Sequence, residues 1–141
     1  MIALSEIASR ALSPAVNDPG TAIDVIGRFL RLFTEWGSAS TDVNDEDKPR
    51  FDRVEIPAIS VDDMFEDAFS PIARDGADTV EVQVRLQKAL ASLALSENDD
   101  VKSAAKRHSR LALKRAESEL TLDEDVEAVS KSAQWSSGPG E

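Results

Sequence analysis

The stretch DPGTAIDVIGRFLRLFTEW, residues 18–36, decides the fold. Asp18 can take up free N–H groups at a helix start, and Pro19 lacks the N–H that a first turn would leave unbonded anyway. With Thr21 at the third helical position, the segment reads as a capped helix from residue 19 to 36. Its polar positions Asp24, Arg28, Arg31 and Glu35 are spaced four, three and four apart, so they form one narrow stripe. The rest is apolar almost all round: Ala22, Ile23, Val25, Ile26, Phe29, Leu30, Leu32, Phe33 and Trp36. Such a helix belongs in the middle of a bundle or in a subunit interface, and the pattern predicts that it is the central helix.

Upstream, Ile2, Leu4, Ile7, Ala8, Ala11 and Leu12 lie on one side of a helix over residues 2–12. No capping residue precedes it, which is expected of a trimmed fragment or of a start codon placed inside an older helix. Pro14 drives Ser13 out of the α region and ends it. Downstream, residues 38–49 form a polar linker. Its acidic run lacks the Gly and Glu of a calcium loop, since Asp47 and Arg53 stand at those places when counting starts at Asp42. FDRVEIPAI, residues 51–59, alternates like a short strand that must find a partner. Ser60 and Asp63 resemble a capping box ahead of Val61, Met64, Phe65, Ala68, Phe69 and Ile72. That third helix carries Pro71, expected to kink it, and stops at Gly76, expected in the left-handed conformation. Asp78 with Glu81 opens a fourth helix, with Val82, Leu86, Ala89, Leu90 and Leu93 repeating. Asn98 or Asp99 caps a fifth over about residues 100–120, and Thr121 with Glu124 opens a short last one. The fold class is mainly α: a bundle of about five to six helices with one short β-strand or hairpin. Residues 1–134 form a single helical domain and 135–141 a flexible C-terminal tail.

The 141 residues suffice for one hydrophobic core. The net charge of −11, with an isoelectric point near 4.5, disfavours nucleic acid as a partner, because a phosphate backbone would be repelled. Absence of cysteine removes disulfides and thiolate sites, and a single histidine removes any site needing two imidazoles. No stretch approaches the roughly 20 apolar residues of a membrane span, and the N-terminus has no basic region like that of a secretory signal. No phosphate loop, metal-binding His pair or nucleophile elbow is present, so no metal and no cofactor is expected.

Two constellations remain. His108 falls among Val101, Ala104, Ala105, Leu111 and Ala112 on the apolar side of the fifth helix, where a packed imidazole is expected. The same helix carries a basic stripe of Lys102, Lys106, Arg107, Arg110 and Lys114. It reads as a solvated face pairing with the chain's own carboxylates, or as a patch for anionic lipid, phosphate or an acidic partner. The second constellation is the turn between the first two helices, where Arg10, Ser13, Asn17, Asp18, Gly20 and Thr21 gather. Pro14, Asp18, Pro19 and Thr21 are accounted for by the stop and the start. Ser13, Asn17 and Gly20 exceed what those require: Ser13 and Asn17 either hydrogen-bond within the turn or serve a ligand or partner, and Gly20 leaves room for something to approach the helix end.

IASRALSPAVNDPGTAIDVIGRF resembles the signature of a bacterial family of predicted membrane proteins, a domain of unknown function. The family pattern is matched at Leu4, Ile7, Ala8, Arg10, Ala11, Leu12, Ser13, Pro14, Asn17, Asp18, Pro19, Thr21 and Ala22. VDDMFEDAFSPIARDGADTVEVQVRLQKAL, residues 61–90, is similar to its downstream region. Gly20 departs from it, since members often carry a larger residue there. In that family membrane-spanning helices and a soluble region precede this part, so the resemblance implies a C-terminal cytoplasmic domain, either cut from a full-length parent in which it is tethered to the membrane or encoded alone. It implies no reaction.

The function expected is therefore that of a non-catalytic interaction or regulatory domain, which self-associates or docks on a membrane-embedded partner. Direct membrane contact through the basic stripe is a further option. The alternative is a small-molecule binder or hydrolytic enzyme with its site at the turn between helices 1 and 2, with His108 as a visitor.

Overall fold

A computed structural model describes residues 1–39 and 59–134. The described residues hold six α-helices: α1 (Ile2–Ala11), α2 (Pro19–Ala39), α3 (Val61–Asp75), α4 (Val80–Leu93), α5 (Asp99–Glu119) and α6 (Asp123–Ala133). They contain no strand, so the structure gives the expected strand or hairpin no support; residues 51–58 of that stretch, like the 135–141 tail, lie outside the described residues.

Helix starts follow the local chemistry in part. Ser60 caps α3 by accepting from the Asp63 N–H, and Asn98 caps α5 by accepting from the N–H groups of Asp100 and Val101. The other two expected boxes do not form. α4 begins after Thr79 and α6 after Leu122, neither with a side-chain cap bond. α6 instead places Asp123, Glu124 and Asp125 in its first turn, where their charge complements the helix dipole. α1 starts without a side-chain cap. α3 runs through Pro71 to Asp75.

Gly76 ends α3 for a different reason from the one expected. Its φ of −108° is not left-handed. A Cβ there would stand 2.9 Å from Val82 Cγ1, 3.1 Å from the Ile72 carbonyl oxygen and 3.2 Å from Leu12 Cδ1. Close approach of α4 and of the α1 end demands the glycine.

The helix contacts close a ring in the order α1, α2, α4, α5, α3 and back to α1, and α6 lies against α4 and α5. The centre is filled by Phe29 and Phe33 of α2 and Phe65 and Phe69 of α3, all at most 1% exposed. Their ring centroids lie 4.3–5.6 Å apart, within the range of tilted and edge-on aromatic packing. Burial of each ring contributes about 1.5–3 kcal/mol.

α4, not α2, is the hub. α2 buries Ala22, Val25, Ile26, Phe29, Phe33 and Gly37, but leaves Leu32 and Trp36 exposed. α4 touches α2, α5 and α6 and, less, α3. It therefore buries a broader arc, Val82, Gln83, Leu86, Gln87, Ala89, Leu90 and Leu93, in which two positions are polar. Apolar count along a helix did not rank the two, because partners on three sides can be met by glutamine as well as by leucine.

Candidate functional site

The α1–α2 turn satisfies itself. Ser13 Oγ donates to the Arg10 carbonyl at 2.7 Å, a back-bond that takes up a free acceptor at the α1 end. The Asn17 N–H donates to the Ser13 carbonyl at 2.8 Å, and the Asp18 N–H to the Ala11 carbonyl at 2.7 Å. Asn17 has φ 47°, the left-handed region that asparagine tolerates better than other side-chain-bearing residues. Asp18 Oδ1 accepts from the Thr21 N–H at 3.2 Å, while the Thr21 hydroxyl donates to Asp18 Oδ2 at 2.6 Å. These bonds, the Thr21 hydroxyl first and its N–H second, hold the Asp18 carboxyl below its ordinary range. A Cβ on Gly20 would come within 3.3 Å of Asp18 Oδ1, crowding the cap. Ser13, Asn17 and Gly20 thus each have a task inside the turn. Arg10 is exposed on α1, outside this network except through its carbonyl.

On α5 the basic stripe is divided. Lys102 pairs with Asp99 at 3.3 Å, and Arg107 with Asp62 of α3. Lys106, Arg110 and Lys114 close no ion pair among the described residues. The pairing joins α5 to α3 through Arg107 and so uses part of the stripe for cohesion.

His108 is 3% exposed and stacks near Phe65, with centroids 5.8 Å apart. Its Nε2 lies 3.4 Å from Asp62 Oδ1, and its Nδ1 lies 3.9 Å from Glu66 Oε2. A carboxylate one helical turn from the next thus faces each ring nitrogen. Burial lowers the imidazole pKa below its ordinary 6.5, more than Asp62 and Glu66 raise it. With 2% of its side chain exposed, the ring is packed inside the α3–α5 seam, between the two α3 carboxylates and Phe65.

Two buried pins escaped the sequence reading. Gln87 Nε2 donates to the Ser109 carbonyl at 3.1 Å, and the Ser109 hydroxyl returns a bond to Gln87 Oε1 at 2.6 Å. Gln83 Nε2 donates to the carbonyls of Ala73 and Gly76, at 3.2 and 2.9 Å, closing the α3 end from α4. The signal was there: two glutamines four apart, adjacent to the apolar stripe of α4. Among the described residues, no group of three or more His, Cys, Asp or Glu side chains is placed to hold a metal ion. No described helix is long and apolar enough to cross a membrane.

A family model described as "Predicted membrane protein (DUF2254)" matches residues 1–92. The match spans α1 to α4 almost entire and stops ahead of α5, so the turn lies inside it while His108 and the basic stripe lie beyond. No curated protein and no solved structure matches.

Proposed function

Because the chain belongs to this family of predicted membrane proteins of unknown function, we propose that it serves as a non-catalytic interaction module that self-associates through its α1–α2 hairpin. One observation carries the reading: the hairpin exposes Ile2 at 60%, Ile7 at 49%, Val16 at 58% and Leu32 at 47%. Large aliphatic side chains left in water on neighbouring elements are what contact surfaces present before a partner covers them. The hairpin also contains the ND-P turn, whose internal bonds tie the end of α1 to the start of α2. On this reading the turn holds the contact face in shape, and the domain works on the cytoplasmic side beside a membrane-embedded part of its parent.

Sedimentation velocity over a concentration series tests it. Association that rises with concentration and is lost in an Ile7→Asp, Leu32→Asp double variant of unchanged helicity is the expected result. A chain that stays monomeric up to about millimolar concentration, where weak association must show, sinks the self-association reading.

A further inference from the structure

A second surface lies between α2 and α4. Arg28 and Arg31 of α2 and Arg85 of α4 line one groove, with Ile23, Gly27 and Leu30 making its apolar part. All three arginines are exposed. Some cations find carboxylates, as Arg74 does with Asp75, Arg107 with Asp62, and Lys131 with Glu127, while others, such as Lys106, Arg110 and Lys114 of α5, close no ion pair among the described residues. None of the three groove arginines closes an ion pair among the described residues, although the chain has 27 acidic residues against 16 basic ones. Among the described residues Asp24 is the one carboxylate lining the groove, against three arginines.

Gly27 supplies the independent observation. It sits mid-helix in α2, where glycine is less favourable than alanine. A Cβ added there would meet nothing within 4 Å. Gly76 and Gly37 are each crowded by their neighbours; Gly27 has no such reason among the described residues. It leaves bare backbone in a groove lined by three arginines, a place where something from outside can come close.

We propose that this groove binds a phosphate group, seated over Gly27 and held by Arg28, Arg31 and Arg85. Guanidinium groups offer forked N–H donors that match the paired oxygens of a phosphate, and three of them on two helices can approach one anion from different sides. The apolar part formed by Ile23 and Leu30 suits an ester-linked phosphate whose organic part rests beside the charge. The phosphate comes either free in solution or as the headgroup of an anionic lipid. The site is on different side chains from the hairpin contact, so each can fail without the other.

The test follows amide resonances of the whole chain while inorganic phosphate is added at constant ionic strength, with sodium chloride as the blank. Saturable shifts centred on Gly27 and Arg85 are expected. Arg85→Gln and an Arg28→Gln, Arg31→Gln double variant should each weaken binding on the order of tenfold or more. Gly27→Leu separates binding from folding: its side chain enters open space and should leave the melting temperature unchanged or raised, while abolishing the saturable shift. Co-sedimentation with phosphatidylglycerol vesicles, against phosphatidylcholine vesicles, distinguishes the source. Capture lost in Arg85→Gln assigns the site to a lipid headgroup; saturation by inorganic phosphate without capture assigns it to a free phosphate. Shifts that never saturate together with no vesicle capture, or binding untouched by Gly27→Leu and both arginine variants, overturn the proposal.

Discussion

At the scale of single residues, the deciding quantity is what surrounds a side chain, and His108 illustrates it. Burial disfavours its charged form, and the flanking Asp62 and Glu66 offset this only in part, so its pKa lies below 6.5 in the folded chain. Unfolding releases an imidazole that binds a proton more readily. The folded state is therefore at full advantage above about pH 6.5 and loses ground as the pH falls from there toward the depressed folded pKa. Asp18, Asp75 and Glu127, whose carboxyl pKa values are lowered, lose their contribution only at more acidic pH. Urea denaturation at about pH 7.5 and about pH 5.5 should show a lower midpoint at the acidic value. His108→Gln should shrink that difference; an equal fall in both proteins would sink this account. The sequence placed His108 on the buried side of its helix, because periodicity reports a face. It did not show the two carboxylates, which arrive from α3, more than forty residues away.

At the scale of elements, helix ends and helix seams obey different rules. Ser60 and Asn98 were legible as caps because the cap residue and the N–H groups it serves lie within three residues. The seams were not. Gln87 and Ser109 lie 22 residues apart in sequence and exchange two bonds in the buried α4–α5 interface. Ser109→Ala removes the donor to Gln87 Oε1 and leaves that buried oxygen unsatisfied, at a cost of about 1–3 kcal/mol. Replacing both partners, as Gln87→Leu with Ser109→Ala, should recover part of that loss in a double-mutant cycle read by urea denaturation. Additive losses would mean that the pair is not coupled. Gln83 shows the same logic at the α3 end, where an α4 side chain closes carbonyls that the α3 sequence itself leaves open.

At the scale of the whole molecule, one aromatic cluster holds the helix ring together. Phe69 meets Phe29, Phe33 and Phe65, so it links α2 to α3 and supports its own helix neighbour. Phe69→Ala should destabilise the chain by about 3–5 kcal/mol, a large share of the roughly 5–15 kcal/mol that domains possess. A calorimetric melting temperature close to wild type would refute the central role given to it. The mainly helical class, the approximate bounds of the helices and the aromatic stripes of α2 and α3 were all determined by the sequence alone, because periodicity, prolines and caps act within a turn or two of the chain. Which helix became the hub, why Gly76 must be glycine, what Asn17 contributes and how Arg85 comes to share a groove with Arg28 and Arg31 were decided only in three dimensions. Those features depend on side chains meeting across helices, where the distance that matters is through space and the sequence carries no measure of it.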